Sequence, residues 1–61
     1  MNNLTELEVE NLRHLIGGHG LVTKKLETYA QNCQDAELKI ILQRDAQAAK
    51  QAQQHLMTFL G

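Results

Sequence analysis

Residues 12–33 read LRHLIGGHGLVTKKLETYAQNC, and this stretch decides the fold because its apolar side chains recur at helical spacing. Steps of three and four residues alternate through Leu12, Leu15, His19, Val22, Leu26, Tyr29 and Cys33. Residues 38–59 repeat the alternation through Leu38, Leu42, Asp45, Ala49, Ala52, Leu56 and Phe59. Such steps are typical of the heptad seam along which helices pack. We therefore predict two helices, each carrying one seam.

Both predicted helices have recognisable ends. Thr5, followed three residues later by Glu8, has the pattern of a capping box, so the first helix is expected over about residues 6–33. Asp35 can cap the second helix, which is expected over about residues 36–59 after a short turn. The chain has no proline, and its 61 residues are predicted to form a single all-α domain, an antiparallel helical hairpin.

Three glycines lie inside the first predicted helix, at positions 17, 18 and 20. Each costs roughly 1 kcal/mol of helix stability relative to alanine. The heptad seam nevertheless keeps its phase across them. We expect one continuous helix, with or without a kink, and the alternative is two shorter helices joined by a turn.

An antiparallel hairpin would bring the two seams together. The expected pairs are Cys33 with Leu38, Tyr29 with Leu42, Leu26 with Asp45, Val22 with Ala49, His19 with Ala52, Leu15 with Leu56 and Leu12 with Phe59. Further apolar residues make both stripes wider than one hairpin can cover, namely Ile16, Leu21, Ala30, Ile40, Ile41, Ala48, Met57 and Leu60.

A stripe of this width suits a helix that has two neighbours, so we expect two hairpins to form a homodimeric four-helix bundle. The alternative is a monomer with an exposed stripe. The residues expected at the dimer and core interface are Leu12, Leu15, Val22, Leu26, Leu38, Leu42, Leu56 and Phe59.

A layer of small and polar side chains is expected half-way along the bundle, formed by His19, Asp45, Ala49 and Ala52. Asp45 resembles a polar seam residue that fixes helix register, and the Tyr29 hydroxyl or a lysine could donate to it. His19 is expected to be half-buried and hydrogen-bonded. Together with His55 it is a weak candidate for a metal site, because the chain lacks the Glu-x-x-His pair of carboxylate-bound metal centres. We expect neither catalysis nor a cofactor.

Length, charge and cysteine content narrow the classes of function. A short chain buries little surface by itself. Cys33 is the single cysteine, so an internal disulfide cannot stabilise the fold. Both facts favour stabilisation by a partner chain. Six basic and seven acidic residues give a net charge of −1, with no cationic patch for nucleic acid. No apolar run approaches the ~20 residues of a membrane span, and no secretory signal is visible. We expect a cytoplasmic protein that binds neither nucleic acid nor membranes.

Residues 24–35 read KKLETYAQNCQD and are followed by Glu37-Leu38-Lys39 and a second helix rich in glutamine and alanine. This pattern resembles the small ferritin-like proteins of spore-forming Firmicutes that are related to the spore coat protein F family. The resemblance covers about residues 10–60. It implies a ferritin-like four-helix bundle, deposition in the spore coat, and other coat or assembly proteins as partners.

The same resemblance bears on metal binding. The glutamate of the family's first helix falls on His19, and the ligand positions of its second helix fall on Ala49 and Ala52. The small side chains at those two positions imply that oxidase or iron-storage activity has been lost. The leading hypothesis is therefore a non-catalytic structural or assembly protein. The alternatives are a metal-binding bundle that uses His19 and His55 from both chains, and an adaptor that donates its helices to a partner.

Overall fold

The computed structural model describes residues 4–60 of the chain. Helix α1 spans Glu6–Asn32, helix α2 spans Ala36–Met57, and a 3-10 turn, Thr58–Leu60, follows α2. The two helices pack against each other, so the predicted all-α helical hairpin is confirmed. Helix α2 was expected to reach residue 59, but its backbone tightens into the 3-10 turn after residue 57.

The predicted caps are present at both helix starts. The Thr5 hydroxyl accepts a hydrogen bond of 3.1 Å from the Glu8 backbone N–H, and the Thr5 N–H donates one of 2.9 Å to Glu8 Oε1. The pKa of the exposed Glu8 carboxyl is lowered because two hydrogen bonds favour its charged form. The hydrogen bond from the Thr5 backbone N–H has the larger effect, and the one from the Thr5 hydroxyl adds to it. Asp35 Oδ1 accepts a hydrogen bond of 2.9 Å from the Leu38 N–H and caps α2.

Helix α1 runs without interruption through its three glycines, as predicted. No glycine among the described residues has a positive φ. A Cβ on Gly17 or Gly18 would meet no atom of the facing helix within 4 Å, whereas a Cβ on Gly20 would lie 2.7 Å from Gln53 Nε2. Gly20 therefore lets the Gln53 amide reach α1, where it donates a hydrogen bond of 3.1 Å to the Ile16 carbonyl oxygen.

The two helices contact each other along one heptad row on each. Residues with reduced exposure recur along α1 and its C-cap at Leu12, Ile16, His19, Thr23, Leu26, Ala30 and Cys33. They recur on α2 at Lys39, Leu42, Ala46, Ala49, Gln53 and Leu56. Steps of three and four residues alternate along both rows, as in a coiled-coil seam. We call these two sets the contact rows.

The contact rows contain only about half of each predicted seam. Six of the predicted seam residues are exposed in the hairpin instead, namely Leu15, Val22, Tyr29, Leu38, Asp45 and Phe59. The prediction that these six fill the space between α1 and α2 is wrong. Thr23, Ala30 and Ala46 lie there because their small side chains let the helix axes come close. The assignment of the apolar ones among the six to an interface between two copies stays a prediction.

Very little is buried within one hairpin. Among the described residues, only Ala30 (2% exposed), Ala46 (5%) and Thr23 (8%) are buried, and no large side chain is fully enclosed. The molecule measures 46 × 15 × 11 Å, and its radius of gyration of 14.3 Å exceeds the ~10.5 Å of a compact domain of this length. A single hairpin therefore lacks a core of large apolar side chains.

The contacts of Gly20 predict that two alanine substitutions differ in effect. Gly17→Ala should raise the free energy of unfolding by about 1 kcal/mol, because alanine favours helix and the new Cβ enters open space. Gly20→Ala should give a net change near zero, because its Cβ displaces the Gln53 amide and a hydrogen bond of ~1 kcal/mol is lost. Urea unfolding at one fixed protein concentration measures both.

A Gln53→Ala background provides the control for this comparison. With the Gln53 amide removed, Gly20→Ala should stabilise the protein as much as Gly17→Ala does. Equal effects of the two substitutions in the wild-type background would contradict the role given to Gly20.

Candidate functional site

The hairpin has two unlike sides. On one side, a groove of about 640 Å³ between the helices is lined by small, apolar and imidazole side chains, namely His14, Leu15, Gly18, His19, Val22, Ala48, Ala49 and Ala52. We call this side the open face. The other groove between the helices is lined mostly by polar side chains, namely Glu27, Ala30, Gln31, Gln43, Ala46 and Gln47, and we call it the polar groove.

Helical geometry explains why several residues of the predicted seams lie on the side of the open face. Three residues of α1 each precede a member of the contact row by one position, namely Leu15, Val22 and Tyr29. Three residues of α2 do the same, namely Leu38, Asp45 and Ala52. One position corresponds to a rotation of about 100° around the helix axis. Because the helices are antiparallel, the same rotation about each axis brings both sets to the same side of the hairpin.

The open face is broad and mostly apolar. Val22 is 48% exposed, Leu15 53% and Phe59 45%. A second groove, lined by Leu4, Glu8, Asn11, Leu12, Leu15 and Phe59, extends the surface toward the start of α1, and Leu15 belongs to both grooves. Contiguous exposed apolar surface of this kind marks sites of association. The candidate functional site of this chain is therefore a packing surface.

His19 is the polar group best held on the open face. The residue is half-buried, and its ring Nδ1 lies 2.8 Å from the Leu15 carbonyl oxygen. A carbonyl oxygen only accepts, so Nδ1 carries the proton in this hydrogen bond, and Nε2 is the acceptor of the neutral ring. The expectation of a half-buried, hydrogen-bonded histidine is confirmed.

The other predicted polar residues are placed differently. Asp45 is exposed in the single hairpin, and no hydrogen bond links its carboxylate to the Tyr29 hydroxyl. The predicted role of Asp45 in fixing register stays a prediction for the dimer. Cys33 is a half-buried free thiol at the turn, 3.5 Å from the Asp35 carbonyl oxygen.

The histidines do not form a metal site within one chain. Across residues 4–60, no three His, Cys, Asp or Glu side chains are grouped so that they could hold a metal ion. His55 is exposed, and its ring centroid lies 5.6 Å from that of Phe59. A site that uses His19 and His55 would have to draw ligands from two chains.

Thr23 and Gln53 are polar residues of the contact rows that the predicted seams do not contain. Thr23 is buried, and its hydroxyl donates a hydrogen bond of 2.8 Å to the His19 carbonyl oxygen. Gln53 donates to Ile16 across the hairpin. Ile16, Thr23 and Ala30 are spaced by seven residues. Each follows a residue of the predicted seam by one position, so a heptad seam chosen one position later would have included all three.

The chain has no match among protein-family models, curated proteins or solved structures. The resemblance of residues 24–35 to ferritin-like coat proteins therefore stays a prediction. None of the helices within residues 4–60 combines the length and the apolar character that a membrane crossing needs.

Proposed function

We propose that this protein is a non-catalytic structural or assembly protein that acts as a homodimeric four-helix bundle. One observation carries the proposal. Among residues 4–60, the hairpin buries only Ala30, Ala46 and Thr23 in its own interior, and it leaves a continuous apolar surface on one side. Small and aliphatic side chains on that surface suit packing better than group transfer.

The exposed area of the hairpin agrees with the need for a partner. Its accessible surface is 4890 Å², whereas a monomeric globular protein of 6.9 kDa exposes about 4000 Å². The excess of about 900 Å² is close to the ~800 Å² that each partner contributes to an interface of standard size. A second copy docked on the exposed apolar surface of the hairpin would remove about this area from water.

The direction of the apolar stripe favours four helices over two. In a lone hairpin, the centre of each stripe should point straight at the other helix. Here each stripe includes both the contact row and the neighbouring row that ends on the open face. Viewed down the helix axis, the middle of the stripe points roughly 45° away from the direction of the other helix. This is expected for a helix in a four-helix bundle, whose two neighbours lie in directions about 90° apart.

The ferritin-like arrangement, a place in the spore coat and contacts with other coat or assembly proteins rest on the resemblance of residues 24–35. A cytoplasmic site of synthesis and action belongs to the same proposal. These parts can fail while the homodimer stands, because the homodimer is supported by the exposed apolar surface of the hairpin and not by the resemblance.

A charge placed on the stripe should abolish the dimer. Leu26 is half-buried and belongs to the apolar stripe of α1, so Leu26→Asp puts a carboxylate into the bundle interior. Sedimentation equilibrium at micromolar concentration should show twice 6.9 kDa for the wild type and no dimer for the variant.

Thr28→Asp is the matched control, because Thr28 is exposed two positions along the same helix and lies outside the stripe. This variant should remain a dimer. A dimer that survives Leu26→Asp would contradict the placement of the stripe in the interface.

A second candidate function is metal binding by His19 and His55 from both chains. The observation that favours it is the hydrogen bond from His19 Nδ1 to the Leu15 carbonyl oxygen, because metal-binding histidines usually hold their other nitrogen in this way. Elemental analysis of protein purified without a tag separates the two functions. The structural function predicts no stoichiometric metal. Stoichiometric metal that disappears in His19→Ala would favour the second function.

A further inference from the structure

We propose that the second copy of the chain docks on the open face and that the polar groove stays in water. This inference rests on the proposed homodimer and adds the surface through which it forms. The occupant of the open face is a second hairpin in a symmetric contact, so each open face covers the other.

The first argument is the contrast between adjacent positions of α2. Ala48 lines the open face and Gln47 lines the polar groove, and both are exposed in the single hairpin. A docked hairpin on the open face would cover mainly alanine, valine and leucine side chains, together with the imidazoles of His14 and His19. A docked hairpin on the polar groove would instead have to remove glutamine amides from water, which is unfavourable unless each amide finds a new partner.

The second argument is charge. A two-fold contact brings the same patch of both chains together, so any charge at its centre faces its own copy. The polar groove contains Glu27, whose carboxylate would approach a second Glu27. The described residues that line the groove of the open face include no lysine, arginine, aspartate or glutamate, and the charged residues of the same side, Asp45 and Glu8, lie outside this groove. The groove of the open face can therefore pack against its own copy without repulsion between like charges.

The third argument is the position of Gly18. This glycine lines the open face, and a Cβ on it would meet no atom of the facing helix within 4 Å. Nothing in the single hairpin therefore requires a glycine, although alanine would stabilise the helix. Together with Ala48 and Ala52, Gly18 keeps the middle of the open face shallow, which allows the backbone of a second hairpin to come close.

Two variants with the same added charge test the assignment. Ala48→Glu and Gln47→Glu each place one carboxylate on consecutive exposed positions of α2. Ala48→Glu should raise the dimer dissociation constant at least ~30-fold, because the carboxylate would be buried without a partner. Gln47→Glu should change the constant by less than about threefold. Sedimentation over a concentration series measures both constants.

Thiol reactivity gives a second test that does not require a destabilising change. In a Cys33→Ser background, Ala48→Cys and Gln47→Cys each carry one thiol. The reaction rate of the thiol at position 48 with a disulfide reagent should fall as the protein concentration rises through the dimerisation range. The rate at position 47 should stay constant.

The outcomes are distinguishable. Protection of position 47 and not of position 48 would overturn the inference, and so would a dimer that is insensitive to both glutamate variants. In both cases the homodimer itself would stand. A wild-type chain that sediments as a monomer at every concentration would overturn the proposed function together with this inference.

Discussion

The close contact between α1 and α2 through small side chains determines the rest of this structure. Of the residues that the structure describes, Ala30 and Ala46 are the most deeply buried, and Thr23 is the third. Small side chains let two helices approach closely, but they bury little apolar surface, and burial of apolar surface is the main favourable contribution to folding. Larger apolar side chains such as Leu15 and Val22 lie on the open face, where a single hairpin does not cover them.

The polar groups between the helices are satisfied within the hairpin. Thr23 donates to the His19 carbonyl oxygen, His19 donates to the Leu15 carbonyl oxygen, and Gln53 donates to the Ile16 carbonyl oxygen. No buried side-chain nitrogen or oxygen in the described part of the chain lacks a partner. The helix contact is therefore well formed even though it is thin, and the apolar open face is the surface that we propose a second copy covers.

Local features of this fold could be predicted from the sequence because they depend on neighbouring residues. Thr5 with Glu8 and Asp35 mark the helix starts, and the heptad phase across Gly17 to Gly20 indicates a continuous helix. The side of each helix that faces the other could not be predicted in the same way. The predicted seam and the contact row of each helix share every second residue, such as His19 and Ala49. At the residues in between, the two rows differ by one position. The choice between them depends on side-chain size at Thr23 and Ala46 and on the reach of Gln53, which are properties of the packed pair.

The most direct test of this account is the thermal unfolding midpoint of the wild-type chain, followed by circular dichroism from ~1 μM to ~1 mM protein. If folding requires a second copy, the midpoint should rise steadily with concentration, by mass action, while the sedimenting mass approaches twice 6.9 kDa. The account would be contradicted if the chain sediments at 6.9 kDa, unfolds cooperatively and has the same unfolding midpoint at every concentration.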